Sequence, residues 1–305
     1  MLEHRGSILA EPPDAPQTII DCEQCGFAHV APLPTPEDVD AYYKADRLSD
    51  EHAPSDWFDV EEAQWGYNKH VYSQWIADIH KDTHNAEYRL LDIGCGSGWF
   101  LHTVKEFTHW QGVGLEPAPK PRHLAEEKGL TVFDSVISLS NAAIEGLDER
   151  YNAISMILLL EHLAEPLTIL HAAHDWLSGD GKILISVPND FTTIQQIARQ
   201  KYNLPAWWVC APHVSYFSID SIQALMKRAG FEVVDVWTTY PIDMMLLQGW
   251  PYVGDEDLGR WCYKRKMEFE MAYYEAGKAN ELRRLQRAWC EAGIGREVIV
   301  IGRKT

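Results

Sequence analysis

Between Asp92 and Glu116 the chain carries residues whose types and spacing could hold a nucleoside. Gly94, Gly96 and Gly98 alternate in Asp92-Ile93-Gly94-Cys95-Gly96-Ser97-Gly98. Glycines at alternate positions let a backbone approach a ligand and adopt angles that a side chain forbids. The apolar run Tyr88–Ile93 predicts a strand leading into this loop, and a helix is expected from Trp99, with its first amides facing the ligand. A second strand is predicted over Gln111–Leu115. It ends at Glu116, close to the offset at which an acidic residue accepts both ribose hydroxyls. A dinucleotide site wants Gly-x-Gly-x-x-Gly, because its pyrophosphate sits on the helix start. Here Trp99 stands at the third glycine's place, which disfavours a nicotinamide-dependent oxidoreductase.

Two histidines are candidate general bases. His162 follows the predicted fourth strand, at the carboxyl edge where ligands collect in α/β folds, and His213 lies in an insert expected to overhang that edge. A reference pKa near 6.5 lets either accept a proton near neutrality. The alternative for His162 is to shape its loop by hydrogen bonding to the backbone, and Glu161 could cap the following turn. Asp21-Cys22-Glu23-Gln24-Cys25-Gly26 is half of a zinc-knuckle pattern. A structural zinc ion takes four ligands. No cysteine precedes Cys22, and only His4 and His29 are nearby. The pair reads as a degenerate remnant, with neither zinc nor a thioredoxin-like redox role expected.

These residues need a frame. Apolar runs of strand length recur at Leu130–Phe133, Asn152–Leu159 and Lys182–Val187. Helical segments fit between the strands at Trp99–Phe107, Ala118–Lys128, Ser138–Glu145 and Pro166–Leu177. Such alternation predicts a parallel sheet covered on both faces. A helix at Ile219–Ala229 and strands at Phe231–Thr238 and Arg296–Gly302 complete it. Residues 1–80 read as an N-terminal extension with an aromatic helical cap. Residues 81–305 read as the catalytic domain, with inserts at 189–217 and 240–295 that together would roof a substrate pocket.

The 305 residues carry a net charge of −18, with 45 acidic against 27 basic side chains. That surface repels phosphate backbones, so a nucleic-acid partner is not expected. The scattered six cysteines suit reduced thiols. Neither an apolar run of spanning length nor a signal-peptide core is evident, so no membrane partner and a cytoplasmic location are expected. The 12 Trp and 13 Tyr exceed what a core of this size needs, and some should line a pocket.

The run Leu90-Leu91-Asp92-Ile93-Gly94-Cys95-Gly96-Ser97-Gly98 resembles the first motif of class I S-adenosylmethionine-dependent methyltransferases, and Val113-Gly114-Leu115-Glu116 the second. Leu160-Glu161-His162 with Pro166 resembles the Leu-Glu-His element of the small-molecule branch. His213 through Phe217-Ser218, followed by Ala229-Gly230-Phe231, resembles a further element of that branch. The resemblance covers about Tyr88 to Thr238. It implies a Rossmann-like α/β fold: a seven-stranded sheet with the last strand antiparallel, helices on both faces, plus helical additions. It also implies methyl transfer from S-adenosylmethionine to a small-molecule acceptor such as a sugar, glycan precursor or secondary metabolite, with S-adenosylhomocysteine as product. A non-catalytic module binding that cofactor is the alternative.

The implied cofactor site comprises the loop residues Gly94, Cys95, Gly96 and Gly98, with Glu116, Pro117 and Leu159 beside them. Asp92 would orient the loop and the cofactor's amino-acid end. Tyr67 lies in the aromatic stretch Trp57–Trp75, which in related enzymes covers the methionine end. Ubiquinone-pathway O-methyltransferases resemble the Leu-Glu-His element but carry an acidic residue where this chain has Leu158, so no metal is expected at that loop.

Overall fold

The computed structural model describes residues 4–11, 18–45, 57–81, 88–134 and 150–305. Three short strands come first, β1 (Gly6–Ala10), β2 (Thr18–Cys22) and β3 (Phe27–Ala31). Helices α1 (Pro36–Lys44), α2 (Trp57–Ala63) and α3 (Trp65–His80) follow. The α/β alternation then runs β4 (Arg89–Ile93), α4 (Trp99–Phe107), β5 (Gln111–Leu115), α5 (Pro119–Glu127), β6 (Thr131–Phe133) and β7 (Tyr151–Ile157). After a 3-10 turn at Leu160–His162 come α6 (Pro166–Trp176) and β8 (Leu177–Pro188). The remainder is α7 (Thr193–Tyr202), β9 (Ser215–Tyr216), α8 (Ile219–Arg228), β10 (Phe231–Thr238), α9 (Met244–Leu247), α10 (Glu256–Glu275), α11 (Ala279–Glu291) and β11 (Glu297–Lys304). The helix expected at Ser138–Glu145 lies outside the described residues.

Seven strands form one sheet in the order β10-β11-β8-β7-β4-β5-β6. β4 pairs in parallel with β5 on one side and β7 on the other, and β6 and β8 extend the parallel set. The last strand, β11, is antiparallel. The expected architecture is therefore the observed one. Leu90, Leu91 and Ile93 are all buried, on both sides of the strand, as in a parallel sheet whose two faces are covered by helices. The chain builds outward from β4 through β5 to β6, then returns to its other flank with β7. That reversal opens a crevice at the carboxyl ends of β4 and β7.

A second sheet was not expected from the sequence. β1, β2, β3 and β9 pair in that order, all antiparallel. The proline-rich first 37 residues thus contain strands, whose inner side chains Ala10, Ile19, Ala28 and Val30 cluster with Tyr216 of β9.

By contacts, the described residues group into two compact units. One joins residues 34–186, 225–234 and 301–305; the other joins 1–33, 187–224 and 235–300. Helices α1 to α3, grouped by the sequence reading with the N-terminal extension, belong to the unit of β4 to β7. The segments at 189–217 and 240–295 fall with β1 to β3. Among the described residues no helix is long and apolar enough to cross a membrane.

Candidate active site

The glycine loop joins β4 to α4. Gly94 has φ +72° and Gly98 has φ +83°, in the left-handed region. Sterics exclude side chains as well. A β-carbon on Gly94 would stand 2.8 Å from Leu159 Cδ1, and one on Gly98 would stand 2.5 Å from Leu130 Cδ1 and 2.9 Å from Ala125 Cβ. Leu159 thus packs directly on the loop. At Gly96 a β-carbon would meet nothing within 4 Å, so the loop backbone borders open space where a ligand can approach.

The loop and the acidic residue after β5 hold each other. The Glu116 carboxylate accepts from Gly96 N through Oε2 at 2.9 Å and from Ala118 N through Oε1 at 2.8 Å. Gly94 N and Cys95 N both donate to the Leu115 carbonyl oxygen, at 2.8 and 3.0 Å. The amides of Gly94, Cys95 and Gly96 are committed within the protein, because buried N–H groups need partners. The amides expected to face a ligand are those at the start of α4, beyond these three. Glu116 is 7% exposed and Pro117 beside it is buried. The Cys95 thiol packs on the backbone of Gly114, where a β-carbon would stand 2.5 Å from Sγ. Cys95 therefore contributes its backbone to the loop while its side chain faces β5.

Asp92, at the penultimate position of β4, is 2% exposed and accepts from Ser155 Oγ of β7 at 2.7 Å. Burial pushes its carboxyl up to about 7. The Ser155 hydrogen bond opposes that shift and the Glu116 charge adds to it. Trp99 stacks on Trp65 at the start of α3, with ring centroids 5.0 Å apart and planes at 29°. The Lys128 ammonium lies 4.5 Å from the Trp99 ring centroid, within cation–π range. The residue that replaces a third glycine thus anchors α3 against the start of α4. Tyr67 is buried on α3, and Ser97 Oγ donates to Glu61 Oε2 of α2 at 2.6 Å.

Ser155, Trp65 and Glu61 were not singled out from the sequence. Leu158 was considered only as a missing metal ligand. It follows β7 with φ +51° and is 42% exposed. A leucine in that region is strained, and such strain clusters at functional sites.

The two candidate bases lie in different units. His162 ends the 3-10 turn beside Leu159. Its backbone N donates to Leu159 O at 3.0 Å, and its ring sits edge-on to Tyr43 at 5.8 Å between centroids. His213 follows the Cys210-to-Pro212 turn, its N donating to Cys210 O at 2.9 Å. Burial, and secondarily the Arg296 charge, push its imidazole down to about 4. It is therefore neutral at pH 7 and a weaker base than expected.

In the unit of His213 the sequence reading also missed a buried ionic cluster. Arg296 Nη1 donates to Asp190 Oδ1 at 2.9 Å. Asp243 accepts from Tyr252 Oη at 2.6 Å and from Gln195 Nε2 at 3.2 Å. Its members are distant in sequence and share no spacing that would have revealed them.

A mainly parallel sheet with a glycine loop after the strand at its point of reversal and an acidic residue after the next is the frame of a nucleoside-binding α/β protein. The chain belongs to the methyltransferase-domain family, whose model matches residues 65–236. The ubiquinone biosynthesis O-methyltransferase of Ruegeria pomeroyi is 26% identical over 174 residues, covering 55% of this chain and 69% of that protein. That of Cereibacter sphaeroides is 27% identical over 157 residues, covering 48% and 61%. The chain thus spans between 61% and 69% of the length of these relatives. Among solved structures, an S-adenosylmethionine-dependent methyltransferase from Archaeoglobus fulgidus superposes with a TM-score of 0.51 at 18% identity, covering 81% of this chain and 99% of that one. The 1,6-didemethyltoxoflavin-N1-methyltransferase of Burkholderia thailandensis, solved with its substrate and S-adenosylhomocysteine, gives 0.51 at 16% identity and covers 97% and 100%. The fold is therefore that of S-adenosylmethionine-dependent methyltransferases.

Proposed function

We propose that this chain transfers a methyl group from S-adenosylmethionine to a small-molecule acceptor: a sugar, a glycan precursor or another secondary metabolite. The observation that carries this reading is the mutual locking of the glycine loop and Glu116, with Trp99 where a dinucleotide site keeps glycine. The two backbone amides set the orientation of the Glu116 carboxylate, whose proposed role is to hold a ribose. Its orientation is fixed before the ligand arrives, which lowers the cost of binding. Gly96 supplies the close backbone approach, Leu159 an apolar wall, and Asp92 a buried acid suited to a cationic amino group. When bound, the sulfonium supplies an electrophilic methyl group on a neutral leaving group. The protein's share is then mainly placement of the acceptor in line with that methyl.

A hydroxyl is the first acceptor to test, since the curated relatives are O-methyltransferases by name. A hydroxyl benefits from a positioned base, roughly a hundred- to ten-thousand-fold. His162 and His213 are the bases proposed. The net charge of −18 supports a small acceptor over a nucleic acid. Cysteines that form no disulfide among the described residues support a cytoplasmic location.

Titration calorimetry with S-adenosylmethionine, S-adenosylhomocysteine and NADH tests the reading on the wild type and on Glu116→Ala. Micromolar binding of the first two, weakened about a hundredfold in the variant and absent for NADH, is expected. Binding of NADH alone would overturn it.

A further inference from the structure

The turn between β2 and β3 gathers four metal-ligating side chains that the reaction does not use. Cys22 ends β2, Cys25 lies in the turn, His29 sits on β3, and His4 stands just before β1. β1 pairs with β2 so that Gly6 lies opposite Cys22. Glu23 N donates to Arg5 O at 3.0 Å and Arg5 N donates to Gln24 Oε1 at 3.0 Å, which fastens the segment of His4 to the turn. One ligand atom from each of the four side chains lies within 4.8 Å of the other three. His4 Nδ1 is 3.5 Å from Cys22 Sγ and 3.4 Å from Cys25 Sγ. Metal–sulfur and metal–nitrogen bonds to zinc place neighbouring ligand atoms of a tetrahedron about 3.3 to 3.8 Å apart. Neither cysteine is in a disulfide.

His29 supplies an independent sign that a cation belongs here. Its side chain is fully buried, and Nδ1 lies 2.7 Å from the Val30 carbonyl oxygen. A carbonyl only accepts, so the proton sits on Nδ1 and Nε2 carries a lone pair. That Nε2 is buried and has no hydrogen-bond partner. A buried polar atom left unpaired costs free energy, whereas an imidazole that donates one nitrogen to a backbone carbonyl is oriented to ligate through the other.

We propose that His4, Cys22, Cys25 and His29 form a tetrahedral structural zinc site. Counting cysteines leaves this turn two ligands short; two histidines, one upstream of β1 and one on β3, complete the set. Two sulfur and two nitrogen ligands are the donor set that selects zinc, and two thiolates with two neutral imidazoles cancel the charge of the ion in a half-buried setting. The ion's task is local. The sheet of β1, β2, β3 and β9 rests on a small apolar cluster, and a small core gains disproportionately from a metal staple. Because His29 lies opposite Ser215 in the β3–β9 pairing, the ion also braces the strand that follows His213.

The test is metal analysis of the untagged full chain, purified under reducing conditions, with zinc and then cobalt(II) as probes. About one tightly held zinc per chain is expected, as is a cobalt form with the visible absorption of tetrahedral cobalt and a thiolate-to-cobalt charge-transfer band. His29→Ala should weaken zinc binding at least about a hundredfold, and Cys210→Ser, an exposed cysteine elsewhere, should leave it unchanged. Zinc no higher than in a Cys22→Ser/Cys25→Ser double variant, or zinc removed by simple dialysis, would overturn the proposal. If the variants fail to fold, the wild-type cobalt spectrum decides alone, and the absence of a charge-transfer band sinks it. A Cys22–Cys25 disulfide whose reduction restores no metal binding would do the same.

Discussion

Two turns in this chain gather polar atoms by opposite means. At Gly94–Gly98 the backbone makes the site: amides are spent on Leu115 and Glu116, and side chains are kept out by Leu159, Leu130 and Ala125. At Cys22–Gly26 side chains make it, with ligand atoms delivered by two strands, the turn between them and a residue ahead of a third strand. The loop has no room for a β-carbon at Gly94 or Gly98. A side-chain site tolerates backbone adjustment but not the loss of one donor.

Substitution at the glycines breaks that contrast most directly. Gly98→Val forces a branched residue into a left-handed conformation and into Leu130. It should cost on the order of 3 kcal/mol or more in thermal or denaturant unfolding. Gly26 also has a positive φ, +75°, yet Gly26→Ala should cost only about 1 kcal/mol. Equal costs at the two positions would erase the distinction.

An effect of comparable size is electrostatic. Burial pushes the folded-state carboxyl of Asp92 up to about 7 from the ordinary aspartate value of 3.8. Between about pH 4 and 7 the folded chain therefore holds a proton that the unfolded chain has lost. Stability relative to Asp92→Asn should fall as pH rises through that window, by on the order of 4 kcal/mol, and level off above it. The asparagine keeps an acceptor for Ser155, so unfolding curves across this range isolate the charge. A cationic amino group at Asp92 would also make cofactor affinity rise with pH near neutrality in the wild type alone.

The fold and the loop were legible because their signals are contiguous. β4, the glycine loop, α4 and β5 occupy one unbroken stretch, and burial on both sheet faces leaves plain apolar runs. The Ser155 hydroxyl on Asp92 and the Trp65 ring on Trp99 were not legible, because each joins residues that only the folded sheet and helices bring together. The N-terminal strands were hidden for a related reason. β3 finds one partner in β9, a two-residue strand too short to show any period. His4 and His29 were noted as neighbours of Cys22, but proximity in sequence could not show that a hairpin turns them onto the thiols.

Leu158 carries the smallest predicted effect. Leu158→Gly should relieve its backbone strain and raise stability by about 0.5–1 kcal/mol. If its exposed side chain serves the ligand, S-adenosylhomocysteine affinity should drop in the same variant. Loss of stability would show that Leu158 is held for packing instead.

The role proposed for Glu116 is to read a ribose from a backbone-locked position. The direct test compares S-adenosylhomocysteine with its 2′-deoxy analogue on the wild type and on Glu116→Gln, all four affinities measured by calorimetry. The expected result is a roughly tenfold or greater preference for the ribose form in the wild type that largely disappears in the variant, a coupling of about 1.4 kcal/mol or more. Equal affinity for the two ligands in the wild type, or an undiminished preference in the variant, would contradict it.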